Sequence, residues 1–207
     1  MMKRFSVLSL VVSCAMIFSM TVFGCKKAEQ QAEAPKSAEQ GQAPAAEPVK
    51  GFSVTNGTLE RGGLGYILSA EKDKIAVAAK PTGKPYKSVI TVRARIKSAL
   101  PDGTRNGYIL FAEKPGQWTN AGILIGGMKY VIEGPSVSRA ELPVKFDQDH
   151  VFDGEMVVNL KEKTVIWKVN GSEVKTKLTK VPGSINYVGY AVGNAKTEFS
   201  ELQVSGD

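Results

Sequence analysis

Cysteine and histidine are nearly missing from this 207-residue chain, which has two cysteines, Cys14 and Cys25, and one histidine, His150. Both cysteines fall within the first 25 residues, so the remainder has no disulfide, no thiol nucleophile and no paired-cysteine zinc site. A domain built from it must rely on its own core, and residues 51–207 are long enough for one. The lone His150 shares parity with Phe152, Met156 and Leu160, which marks a structural histidine and not a general base. Charge is absent from Phe5 to Gly24, and beyond residue 50 no apolar run of helical period is long enough to support a helix.

Lys3 and Arg4 followed by that uncharged stretch have the layout of an export signal. At about 20 residues the stretch also approaches the length of a bilayer-spanning helix, so length alone leaves an uncleaved anchor open. Val22-Phe23-Gly24-Cys25 resembles the bacterial lipobox, with an aliphatic residue three places before the cysteine and a small one directly before it. Phe23 departs from the small or aliphatic residue usual between them. The resemblance implies diacylglyceryl transfer to the Cys25 thiol, cleavage before it and acylation, as by palmitate, of the new amino group. The partner of Cys25 is then a lipid bilayer, held durably because each buried methylene contributes about 0.8 kcal/mol. Lys26 after the cysteine resembles enterobacterial outer-membrane cargo, so the expected location is the bacterial cell envelope, lipid-anchored and facing the periplasm or cell surface.

Three regions follow: a signal over 1–24, a tether over 25–50 and a domain over 51–207. The tether is Ala, Glu, Gln, Pro and Lys with almost no large apolar residue, a disordered composition whose lysines and glutamates cancel. Loss of Lys3 and Arg4 lowers the formal charge from +7 to +5. No nucleic-acid motif accompanies that mild excess, so no nucleic-acid partner is expected.

From Gly51 onward, short runs rich in β-branched and aromatic residues alternate with Gly, Pro, Asn and Asp, which predicts an all-β domain. Strands are expected at 66–70, 74–79, 87–98, 108–112, 122–125, 129–133, 155–160, 164–169, 173–178, 187–192 and 198–204. Within 87–98, Ile90, Val92, Ala94 and Ile96 form an apolar face and Arg93, Arg95 and Lys97 a basic one. Asn170-Gly171 supplies the two positive-φ positions of a type I′ hairpin turn. Counting outward sets Val169 opposite Ser172, Lys168 opposite Glu173, Trp167 opposite Val174 and Ile166 opposite Lys175. So many antiparallel strands must close into a sandwich or barrel. The runs VITVRARIKSALPDGTRNGYILFA, FDGEMVVNLKEKTVIWKVNGSEV and YVGYAVGNAKTEFSELQV resemble concanavalin A-like or laminin G-like domains. That resemblance implies a two-sheet antiparallel jelly-roll sandwich with ligands on a concave face or rim loops.

The laminarinase-type enzymes of that fold carry Glu-x-Asp-x-x-Glu on one strand, and the motif is absent; Glu71 and Asp73 lack a third acid. No catalytic residue is therefore assigned, although acids from separate strands could still meet. Asp147, Asp149, Asp153 and Glu155 suit calcium by ligand type and not by EF-hand spacing, and equally suit an acidic turn; no cofactor or metal ligand is assigned. Trp118, in a polar loop, is either a stacking platform for a sugar or a loop anchor. Arg93 and Arg95 suit planar anions or a solvated sheet face, with Asn106 and Tyr108 on what reads as a neighbouring strand. These five are the candidate ligand contacts. Three functions remain: a tethered, non-catalytic module binding glycan or another polymer, a structural lipoprotein binding envelope proteins, and a glycan hydrolase of altered motif.

Overall fold

The computed structural model describes residues 49–98, 105–147 and 150–207. The signal, Cys25, the tether up to residue 48 and Asp149 lie outside the described residues. The strands are β1 (Ser53–Thr55), β2 (Gly57–Arg61), β3 (Gly65–Ala70), β4 (Ile75–Tyr86), β5 (Val89–Ser98), β6 (Asn106–Ala112), β7 (Thr119–Leu124) and β8 (Lys129–Glu133). They continue with β9 (Ala140–Pro143), β10 (Phe152–Asn159), β11 (Thr164–Val169), β12 (Ser172–Lys177), β13 (Ile185–Gly193), β14 (Lys196–Ser200) and β15 (Gln203–Gly206). Sheet A has the order β1-β4-β13-β6-β7-β8-β9, and sheet B the order β12-β11-β10-β5-β14-β3-β2, with β15 also pairing β5. Every pairing is antiparallel, so the domain is the expected two-sheet sandwich.

Alternation along β5 and β10 buries Ile90, Val92 and Ile96 with Phe152, Met156 and Val158. From sheet A, Ile109, Phe111, Ile123, Val188 and Tyr190 join the same core. The β11–β12 hairpin has the register counted from Asn170-Gly171, and those two residues carry φ of 46° and 82°. Trp167 is fully buried in this core, its ring lying against Gly154 on β10.

Sheet A also buries a second apolar layer on its outer side, formed by Val77, Ala79, Tyr108, Leu110, Val131 and Ala191. Both faces of β6 are therefore buried, which is why its sequence shows no alternation. Ile109 and Phe111 face the core between the sheets; Tyr108 and Leu110 belong to the outer layer.

Three strands carry no sequence signal strong enough to predict them: β1, β2 and β9 are short and lie at or next to sheet edges, with little alternation to read. The single strand expected over 198–204 is two. Phe199 pairs with Ile96 and Gln203 with Arg93, so Ser200, Glu201 and Leu202 face only Ala94 and Arg95. One residue too many on that side makes a β-bulge.

Candidate functional site

The bulge opens a groove on the outer face of sheet B. Cross-strand register sets Glu155 opposite Arg93 and Asp153 opposite Arg95, which builds one wall from charges of both signs. Ser200, Glu201, Leu202 and Gln203 form the other wall, Leu64 closes one side, and the cavity measures about 670 Å³. The bulge is fixed in place by hydrogen bonds. The Arg95 backbone N–H donates to Ser200 Oγ at 2.8 Å, and Tyr190 Oη donates to the Ser200 carbonyl at 2.7 Å. Glu201 accepts from Arg61 and from Tyr66 Oη, each at 3.3 Å.

Arg93 grips Glu155 through Nε at 2.6 Å and Nη2 at 2.5 Å, and Lys168 Nζ reaches its other oxygen at 3.1 Å. Arg95 Nε lies 3.4 Å from Asp153, and both side chains are more than half exposed. Arg93 and Arg95 of the stripe that reads as purely basic along β5 are thus each paired with an acid of β10, and those acids come from the stretch considered for calcium. Among the described residues, no group of three or more acidic, histidine or cysteine side chains is arranged to hold a metal ion.

Partial burial tends to raise the Glu155 carboxyl, but hydrogen bonds and charge from Lys168 and Arg93 outweigh it and hold the group below its ordinary value. A lowered folded value means stability present above the usual carboxylate range and lost as pH falls through that lowered value. Glu155→Gln is therefore expected to flatten the decline of stability below about pH 5, by about 1 kcal/mol at most for an ion pair open to solvent. Urea titrations at neutral and acid pH measure the difference; parallel profiles for variant and parent would refute it.

The sequence-derived candidates do not converge. Arg93 and Arg95 line the groove on sheet B, whereas Trp118, Tyr108 and Asn106 belong to sheet A. Trp118 packs against the outer apolar layer and meets Tyr187 edge-on, with ring centroids 6.3 Å apart, so its loop is anchored through it. Tyr108 is 8% exposed; burial, and then the hydrogen bond and charge of Glu133, push its phenol well above the ordinary range. Asn106 is 3% exposed, and its amide is committed to the backbone of Gly193, donating to the carbonyl at 2.8 Å and accepting from the N–H at 2.7 Å. A side chain so occupied is unavailable to a ligand. The sequence reading missed Glu201, Leu202 and Leu64, because a bulge between strands leaves no mark in alternation.

Two further acids meet at the far edge of sheet A. Arg139 contacts Glu133 at 3.6 Å and Glu141 at 2.6 Å, and Lys129 contacts Glu141 at 2.8 Å. The hydrogen bond from Lys129 lowers the Glu141 carboxyl, with Arg139 adding to it. Glu155 and Glu141 are both shifted downward, opposite to what a glycosidase acid requires.

No protein-family model matches the sequence, and no curated protein matches it. In structure it is similar to a carbohydrate-binding module, CBM66 from Bacillus subtilis, with a TM-score of 0.60 at 14% identity over 75% of this chain and 96% of that one. A Crh5 transglycosylase in complex with NAG gives 0.55 at 11% identity over 75% and 79%. A sialidase gives 0.60 at 11% identity over 75% of this chain, which spans only 17% of that protein. At these identities the likeness is one of fold, and the fold is the jelly-roll β-sandwich.

Proposed function

We propose that the protein is a membrane-tethered, non-catalytic binding module of the cell envelope that holds a glycan in the sheet B groove. The observation that carries this reading is the pairing of guanidinium and carboxylate groups along the groove wall. A sugar hydroxyl both donates and accepts, so it can donate to Asp153 or Glu201 while accepting from Arg95. Leu64, half-buried at the side of the groove, offers apolar surface to the C–H face of a ring. The resemblance of residues 1–25 to a lipoprotein signal supports the tether, and the fold shared with a carbohydrate-binding module supports the ligand class.

The test is affinity electrophoresis and glycan-array binding of the signal-free chain, starting at residue 26. Arg95→Ala combined with Glu201→Ala is expected to weaken glycan binding at least tenfold. Because exposed ion pairs contribute only about 0–1 kcal/mol, the thermal midpoint should move by a few degrees at most. Full binding by the double variant would place the ligand elsewhere. A parent protein that retains no glycan would end the reading.

A further inference from the structure

The charge of this domain is gathered at one end of the sandwich, the end at which the chain enters it. Ser53 pairs with Ala79, so residues 49–52 arrive beside Lys80, whose Nζ lies 5.2 Å over the Phe52 ring. Past Pro81, β4 continues to Lys84, whose Nζ lies 5.0 Å over Tyr86, and Lys87 stands in the turn to β5. The Leu160 N–H donates to the Ser88 carbonyl at 2.8 Å, which draws in the turn holding Lys161 and Lys163. The Leu178 N–H donates to the Lys163 carbonyl at 2.8 Å, adding Lys177 and Lys180. Tyr187 pairs with both Pro81 and Ala112, which brings the loop of Lys114 to the same end.

These eight lysines share their loops and termini with Glu113, Glu162 and Asp207, whose N–H donates to the Val89 carbonyl at 3.1 Å, and with the mutually paired Glu133 and Arg139 at the β8–β9 loop, which Ser136 and Ser138 tie to Lys177–Lys180. The excess of these residues, five positive charges, equals the formal +5 of the chain beyond the signal. None of the described ion pairs includes any of these eight lysines. Val181, 44% exposed, adds apolar surface to the end, and Trp118 contributes a half-buried ring.

We infer that this lysine-rich end is a docking surface for an anionic lipid bilayer. Each lysine near such a surface contributes about 1 kcal/mol, additively enough for several to hold a domain reversibly. Tryptophan is a residue of the membrane interface, where an indole meets headgroups. The occupant follows from where the chain enters: Cys25 precedes Val49 by 24 residues, so a lipid on Cys25 keeps the bilayer within reach of this end. That orientation rests on the tethering reading; the charge complementarity does not. A domain seated this way keeps the Arg95–Glu201 groove on its flank, open to a polymer passing along the membrane.

Vesicle co-sedimentation of the unlipidated chain from residue 26 tests the surface apart from the anchor. Vesicles of phosphatidylcholine with about a third phosphatidylglycerol should retain the protein at low salt and release it as the Debye length shrinks, whereas pure phosphatidylcholine should not retain it. Replacing Lys84, Lys161 and Lys180 together by Glu should cut retention by more than ~100-fold, since each lost lysine contributes about 1 kcal/mol, each 1.4 kcal/mol is a tenfold step, and the added carboxylates repel the surface further. Lys72→Glu, at the opposite end, should leave it unchanged. Equal retention on neutral vesicles, an unaffected triple variant, or preference for heparin over vesicles of matched charge would each overturn the inference. Absence of lipid on Cys25 in cells would instead overturn the tether, and a parent that binds these vesicles but no glycan would overturn only the glycan reading.

Discussion

Gly154→Ala is expected to destabilise the domain by about 1–3 kcal/mol, because a Cβ there would overlap the six-membered ring of Trp167. For a domain of this size the thermal midpoint should fall by roughly 3–10 °C. The ring has nowhere to go. It is fully buried, paired across the strands with Met156 on one side and Val174 on the other. Trp167→Ala removes the opposing partner and should cost about 3–5 kcal/mol by cavity formation. The decisive measurement is the double variant: with the indole gone, the added methyl occupies vacated space, so Gly154→Ala/Trp167→Ala should be less destabilised than the sum of the singles. Strict additivity in denaturant titrations would show that the two positions do not compete for one volume.

Asn106→Ala should cost about 2–4 kcal/mol, more than its position at the start of β6 suggests. The amide closes a two-bond ring with the Gly193 backbone, and truncation leaves both the Gly193 N–H and its carbonyl without that partner at a part-buried site. Thr197 Oγ1 donates to the Asn106 carbonyl at 2.5 Å, so the same residue links β6 of one sheet to β14 of the other. Asn106→Asp is the sharper variant, since it keeps the acceptor for the Gly193 N–H but sets a carboxylate oxygen against the Gly193 carbonyl. Its stability should approach that of the parent only at acid pH, where the protonated carboxyl can donate. A pH-independent deficit would contradict that geometry.

Much of the architecture was legible because burial imposes period two on strands with one wet face. On β5 the alternation of Ile90, Val92, Ala94 and Ile96 with charged residues is read directly, and the Asn170-Gly171 turn fixes the hairpin register residue by residue. Where both faces are buried, as on β6, periodicity vanishes and the assignment of Tyr108 is undecidable from the sequence. The groove was half legible. Arg93 and Arg95 mark its wall, but their pairing with Glu155 and Asp153 depends on which strand lies beside β5, and β5 and β10 are separated by more than fifty residues. Asn106 shows the limit in the other direction, because a polar residue beside aromatics looks like a ligand contact until its long-range partner is known.

The order of strands also constrains when the domain can form. β13 separates β4 from β6 in sheet A, and β14 separates β3 from β5 in sheet B, so each sheet is two disconnected halves until the last two dozen residues are present. Early hairpins cannot close over a core that awaits Tyr190 and Phe199, which are both fully buried. Such non-local pairing makes folding slow relative to chain growth. A nascent chain of this topology stays extended while it grows, and completes its sandwich only once β13 and β14 are available to bridge the halves.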